Sequence, residues 1–384
     1  MTEGLRLRIK IVCACILLVL ALAYFLRAAI FTINLPGLPM DMGHRVNGLG
    51  LISAGISPYT AEVSLSYDGV APDPPAAWLY NQLIYGYVAL DYLNYYYLVT
   101  SAALIGICSW LPFAGQKTTH LIGPLLGSAS LAAISAWCSL LGVGQNAIHA
   151  ILLLTLSLWS LETKRDLLAG LFLGMALLKP QIAALFVCAL LVKGNYRALA
   201  GVAIAVLAGY LYLCLMTQAL PWTVSLEWLE YVRSFPSWPG LGLLNVLEYC
   251  GVSQHVGIVL VAITLGLLAV ILTFYLRRAP YFLLFAILCV IARFWSYHQW
   301  YDNGMLLFLL IAFYRFAGSS GQACRTIALS FFGLVGVTLW APGRCVLIES
   351  FQFFQFSIWV LSVIILIFMY HKVSPEGLET QLSS

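Results

Sequence analysis

Apolar runs long enough to cross a bilayer recur along this whole chain, and that recurrence decides what it can fold into. The first is Ile11 to Phe31, interrupted near its end by Arg27. A crossing helix needs about 20 apolar residues, and backbone polar groups cannot face lipid unpaired, so such runs read as helices. Further runs lie at 92–112, 121–141, 147–161, 167–178, 181–192, 198–216, 255–276, 281–292, 303–316, 325–341 and 350–370. Hydrophobic residues make up 62% of the chain and charged residues 9%, too apolar to hide in one soluble core. A soluble enzyme, a disordered chain and a nucleic-acid binder are poor readings. The expectation is an all-α, polytopic integral membrane bundle of about twelve transmembrane helices, a single domain over residues 1–384.

Orientation follows from the basic residues. Arg6, Arg8 and Lys10 precede the first run and read as a cytoplasmic flank. That run is too long for a signal peptide and lacks a small-residue cleavage site, so it reads as a retained span. With both termini cytoplasmic, the threading puts 13 of the 19 Lys and Arg on the inner side, as the positive-inside rule asks. The two long connections, 32–91 and 217–254, then lie outside, and the inner loops are short. The expected location is the plasma (inner) membrane, with the work done on the outer, extracytoplasmic face. Most of the ten cysteines fall inside spans as packing residues; Cys250 and Cys345, in outer loops, are the pair open to a disulfide. Residues 167–192 read best as a hairpin of two short helices turning near Lys179-Pro180. Twelve helical residues rise only about 18 Å, which puts such a turn within membrane depth. The alternative is one helix kinked at Pro180.

Charges are costly inside membranes, so the few polar residues carry information. Five groups stand out. Asp41, His44 and Arg45 share one face if 41–53 is helical; they read either as a solvated ion-paired helix or as groups that hold a polar substrate. Gly55-Ile-Ser-Pro-Tyr59 ends that helix. Pro74-Pro75 and then Trp78, Tyr80, Tyr85, Tyr87, Tyr92, Tyr95, Tyr96 and Tyr97 read as an interfacial belt, or as walls that stack on sugar rings or line a lipid groove. Gly142-Val-Gly-Gln145-Asn146 is either plain turn chemistry or a pair of amides suited to sugar hydroxyls. Lys179, deep in an apolar run, is expensive unless it meets an anion or water, and a compact ammonium suits phosphate. Arg293, Tyr297, His298 and Asp302 cluster at a late outer helix end, with His298 and Asp302 at i, i+4 spacing. The threading puts all five groups on one side.

No P-loop, dinucleotide fingerprint or His/Cys metal spacing is present, so no cofactor is expected, with a divalent metal left open because Asp68, Asp73 or Asp302 could join Asp41. One carboxylate beside several cations suits transfer of a group from a phosphate leaving group to a hydroxyl. The carboxylate takes the hydroxyl proton, and Lys, Arg or His stabilises the departing phosphate. Nucleotide sugars are not normally available outside a membrane, so the expected partners are a polyprenyl-phosphate-sugar donor, a lipid-linked or glycan acceptor and the surrounding lipids. No nucleic acid is expected.

An ordered set of motifs resembles glycosyltransferase family 87, the polyprenol-phosphate-mannose-dependent mannosyltransferases of the GT-C fold class. The set is Asp41 with Gly55 and Pro58-Tyr59; Pro74-Pro75; Gly144-Gln145-Asn146, Lys164-Arg165, Gly170-Leu-Phe-Leu-Gly174 and Lys179-Pro180; and the aromatic, His298 and Asp302 cluster. The run before His298 reads Phe294-Trp-Ser-Tyr297, where the family often has a Ser-Pro step. The resemblance implies a multi-span helical bundle with a large first outer loop. It implies that Asp41 matches the catalytic carboxylate and that Lys179 and His298 match positions near the lipid phosphate. It also implies an inverting transfer from a β-linked donor to an α-linked mannoside. From the residues alone, two rivals stand beside a glycosyltransferase. A transporter or lipid flippase would also need an outward polar cavity and broken helices. A structural assembly subunit would leave Lys179 unexplained.

Overall fold

The computed structural model describes residues 3–60, 70–114, 122–234, 250–295, 298–319, 321–342 and 348–373, with the single positions 243, 247 and 345. Every regular element among them is helical. Tyr297 and Asp68 lie outside the described residues.

Among the described residues, six helices are long and apolar enough to cross a membrane: α1 (Glu3–Ile33), α4 (Leu90–Trp110), α11 (Tyr196–Thr217), α13 (Gln254–Tyr275), α16 (Gln322–Trp340) and α17 (Glu349–Lys372). A seventh crossing is available if α5 (Ile122–Ala132) and α6 (Ala136–Val143), bent by 49° at their junction, act as one span. This corrects the expectation of about twelve spans. The remaining apolar runs form helices too short for a bilayer core of about 30 Å at 1.5 Å per residue. They are α7 (Ala147–Glu162), α8 (Asp166–Ala176), the Pro180–Val192 segment, α14 (Tyr281–Trp295) and α15 (Leu307–Ser319).

Burial explains why short and long helices share one composition. Ala147 to Leu154 on α7 and Phe282 to Arg293 on α14 are buried on every side. The long helices instead turn apolar side chains outward, such as Val19, Leu207, Ile263 and Ile364. A helix that is apolar all round is either a protein core or a membrane span. Here α7 and α14 are the core, and α1, α11, α13 and α17 supply the outward apolar surface.

The Leu167–Val192 run breaks where its sequence says. Helix α8 ends at Ala176, and the chain resumes at Pro180 with α9 (Pro180–Ala183), a 3-10 turn and α10 (Val187–Val192). Proline suits the first helical position because its missing N–H is one the helix cannot use. The Asn195 side chain, just past α10, donates to Asp166 Oδ1 at the start of α8, 3.0 Å away. The two ends therefore meet, and the run is a hairpin with Lys179 at its tip. Helix α8 is clamped to α11 by Gly170 and Gly174, a small-xxx-small pair. A Cβ at Gly170 would collide with the Ala198 carbonyl oxygen.

The two ends of the bundle differ in chemistry. At one, Arg315 NH2 donates to Glu162 Oε2 at 2.9 Å and to the Pro112 carbonyl at 3.0 Å. At the other, the start of α7, the tip of the hairpin and the end of α14 converge with α2 (Met40–Ser53) and α3 (Ala77–Tyr85). The aromatic stretch divides there. Tyr87, Tyr92 and Tyr95 are exposed, as an interfacial belt would be, while Trp78, Tyr85 and Tyr97 are buried. Cys250 and Cys345, the pair left open to a disulfide, are both free thiols.

Candidate active site

Asp41 sits in the first turn of α2, where the unpaired N–H groups of a helix favour a negative side chain. The helix forms as its sequence predicts, with His44 one turn on, and both residues are half-buried. Arg45 is different: it is 2% exposed. Its Nε donates to Asp73 Oδ2 at 2.9 Å. One NH1 group donates twice, to the Asp41 carbonyl at 2.7 Å and to the Gly144 carbonyl at 3.1 Å. Burial alone would lower the proton affinity of Arg45, but Asp73, Tyr85 and Asp41 outweigh it and raise it above its ordinary value.

Asp73, which the sequence offers only as a loop acid able to join Asp41 at a metal, instead turns inward to Arg45. Its Oδ2 also accepts from Asn81 Nδ2 at 3.0 Å and Asn146 Nδ2 at 3.4 Å, and its carbonyl accepts the Tyr59 hydroxyl at 2.7 Å. Asn146 Nδ2 donates to Asn81 Oδ1 at 2.7 Å, and Asn146 Oδ1 accepts from Tyr85 at 2.8 Å. Burial pushes the Tyr59 and Tyr85 hydroxyls up, so both stay protonated donors. Arg45, Tyr59 and Asn146 are thus spent on fixing the first connection, and none presents a free polar group to a cavity. Local spacing holds no signal for this, because the partners are far apart in sequence.

Gln145 is placed by the turn that precedes it. Gly144 takes φ +70°, closing α6 with a left-handed residue. A Cβ there would also lie 2.8 Å from that of Met42, so only glycine lets α2 approach this closely. The Gln145 amide nitrogen donates to the Asp41 carboxylate and, at 3.3 Å, to the Tyr301 hydroxyl. Its Oε1 is buried and has no hydrogen-bond partner among the described residues.

Tyr301 leads to the second half of the site. Lys179 Nζ stands 6.0 Å from the centre of the Tyr301 ring, at the limit of a cation–π contact. The neighbouring Asp302 lies in the first turn of a 3-10 helix (Trp300–Leu306), where its Oδ2 accepts from the Gln299 N–H at 3.0 Å and meets His298 Nδ1 at 3.3 Å. Its Oδ1 is buried without a hydrogen-bond partner among the described residues. Burial alone would raise the Asp302 carboxyl, but Lys179 and His298 outweigh it and keep it below its ordinary value. His298 is fully buried, with its other ring nitrogen 2.8 Å from the Ala292 carbonyl; burial holds it neutral, below its usual value. Arg293, equally buried, donates to Asn303 Oδ1 at 2.6 Å.

The expected residues therefore sort into two sets. Asp41, Gln145 and Lys179 are joined through Tyr301, with Asp302 next to it in the chain and His44 one turn from Asp41 on α2. Arg45, Tyr59, Asn146, Arg293 and His298 lie behind this set as buried supports. Tyr301 was missed although it lies inside the late cluster; an aromatic in a belt-like run carries no mark of its own. Among the described residues no three His, Cys, Asp or Glu side chains gather as a metal site. The arrangement offers a carboxylate base at one end, a cation at the other and hydroxyl and amide groups between, which suits transfer between a hydroxyl and a phosphate ester.

The sequence model of glycosyltransferase family 87 matches residues 74–296. That stretch includes Gln145, Asn146, Lys179 and Arg293, and it begins after Asp41. No curated protein and no solved structure matches the chain.

Proposed function

The chain belongs to glycosyltransferase family 87 and is a membrane glycosyltransferase, and from that premise we propose its reaction. It moves a sugar, mannose in the first instance, from a polyprenyl-phosphate donor to a hydroxyl of a lipid-linked or glycan acceptor. The transfer takes place on the outer face of the plasma membrane, in a GT-C-type bundle whose termini are cytoplasmic.

Asp41 is the general base. The acceptor oxygen forms a bond to C1 of the donor sugar as the bond from C1 to the phosphate oxygen breaks. The hydroxyl proton passes to Asp41, and polyprenyl phosphate leaves carrying the extra negative charge. Lys179 stabilises that charge from the hairpin tip, with the Asp302 carboxylate close enough to interact with the ammonium electrostatically. Attack from the face opposite the phosphate inverts the anomeric centre, so a β-linked donor gives an α-linked product. Base catalysis of this kind contributes about 10²- to 10⁴-fold, and preorganised charge at the leaving group adds to it.

The observation that carries this reading is the join between Asp41 and Lys179 through Gln145 and Tyr301. It sets a half-buried carboxylate and a buried ammonium at the two ends of a single site. The test is an assay of purified protein with polyprenyl-phosphate-mannose and a lipid-extract acceptor, comparing wild type with Asp41→Asn. Loss of turnover with donor binding retained is expected. Substantial turnover in that variant would overturn the assignment of the base.

A further inference from the structure

Gln145 is held unusually well for a residue in a turn. Its backbone N–H donates to the Leu140 carbonyl at 3.0 Å, and its own carbonyl accepts from Tyr97 at 3.3 Å. The carbonyl of the residue before it is fixed by Arg45. With the backbone pinned on both sides, the side chain has one place to go: its amide nitrogen reaches the Asp41 carboxylate and the Tyr301 hydroxyl together.

A carboxylate can present either oxygen to a substrate, and a base that turns freely is a poorly aimed one. The amide engages Asp41 Oδ2 and leaves Oδ1 for the incoming hydroxyl. An amide suits this task because it orients a carboxylate without neutralising it; a lysine or arginine in its place would weaken the base. The other end of the amide, Oε1, is buried without a partner among the described residues, and it is an acceptor only. A sugar hydroxyl is the donor that would satisfy it.

We infer that Gln145 is the positioning residue of the reaction: through its amide nitrogen it aims the Asp41 carboxylate, and through Oε1 it sets the register of the bound sugar against Tyr301. The inference rests on the reading of Asp41 as the base. It assigns to Gln145 a role exerted on the base as well as a contact to sugar.

The test uses the purified full chain with polyprenyl-phosphate-mannose and the same lipid extract. Two variants are measured, Gln145→Met, which keeps length but removes both polar ends, and Gln145→Glu, which keeps shape but removes the donor. For Gln145→Met, kcat should fall about 10- to 100-fold, and the donor KM should rise by less than that through the lost sugar contact. In Gln145→Glu the introduced carboxyl faces Asp41. At about pH 8 the pair repels and activity is as low as in Gln145→Met. Towards about pH 6 the pair shares a proton, the donated hydrogen bond returns, and activity relative to wild type rises. The other titratable groups around Asp41 and Gln145 are the same in every variant and cancel in that ratio: His44 and Arg45 on α2, Asp73 paired with Arg45, Tyr85 on α3, Tyr97 on α4, Lys179 at the hairpin tip, and Tyr301 and Asp302 on the 3-10 turn.

A Gln145→Glu profile parallel to wild type, or a full kcat in Gln145→Met, would overturn the inference. So would a loss confined to the donor KM. Asp41→Asn, run beside them, separates the two readings. If Asp41→Asn turns over, the base assignment fails whatever Gln145 does. If Asp41→Asn is inactive and Gln145→Met is intact, the positioning role alone fails.

Discussion

Arg45 and Asp73 are 28 residues apart in sequence and joined by a 2.9 Å ion pair in the protein interior. The pair does not face the site, yet it holds both stretches of backbone from which the site is built. Removing one partner of a buried pair leaves an uncompensated charge, at a cost of about 3–5 kcal/mol. Asp73→Leu should therefore lower thermal stability in detergent by that order and abolish activity with it. Arg45→Met/Asp73→Leu should be less destabilised than the sum of its single changes, since neither charge is then stranded. Additive losses in an unfolding series would show that the pair is not coupled.

Gly170 and Gly174 give a packing prediction. Alanine at Gly170 pushes α8 from α11 against a carbonyl oxygen, and overpacking of this kind costs about 1–3 kcal/mol. Gly266 on α13 has open space around it, so Gly266→Ala is the control and should be neutral or slightly stabilising. Equal melting temperatures for the two variants would contradict the close helix contact.

Lys179→Ala should weaken donor binding roughly 10- to 100-fold, the range for a lost hydrogen bond to a charged group. Lys179→Arg should recover part of it. Equilibrium titration with the polyprenyl-phosphate donor reads this directly, and an unchanged affinity would remove Lys179 from the phosphate site.

A pH effect follows from His298. Burial lowers its proton affinity, so the folded protein binds fewer protons there than the unfolded chain does. The stability it contributes is complete above the unfolded value of about 6.5 and is lost as pH falls below that towards the lower folded value. Melting temperature should drop across that acid window, and His298→Asn should flatten the drop. A melting curve insensitive to pH between about 7 and 5 would show that the histidine is solvated.

Much of the architecture was legible from the apolar runs, and the hairpin at Lys179-Pro180 was legible from one lysine, one proline and two charged flanks. The span count was not. An apolar run reports exclusion from water, and α7 and α14 satisfy it by contact with protein as well as α13 does by contact with lipid. The site divided for a similar reason. Gln145, Lys179 and Asp302 are polar residues set among apolar ones, a contrast visible locally. That Arg45, Tyr59 and Asn146 turn inward depends on Asp73 and Asn81, which nothing in their own neighbourhood announces. Asp73 itself, beside Pro74-Pro75, looks like any solvated loop acid until the fold encloses it.

The double donation from Arg45 also bears on how the enzyme is made. One guanidinium nitrogen ties the Asp41 carbonyl to that of Gly144, 99 residues further along the chain from Arg45. During synthesis Asp41 emerges long before the turn that will aim it, and a nascent chain that stops before Gly144 carries the acid without its bracket. The order of translation thus keeps the reactive arrangement from forming until the segments that enclose it have been made.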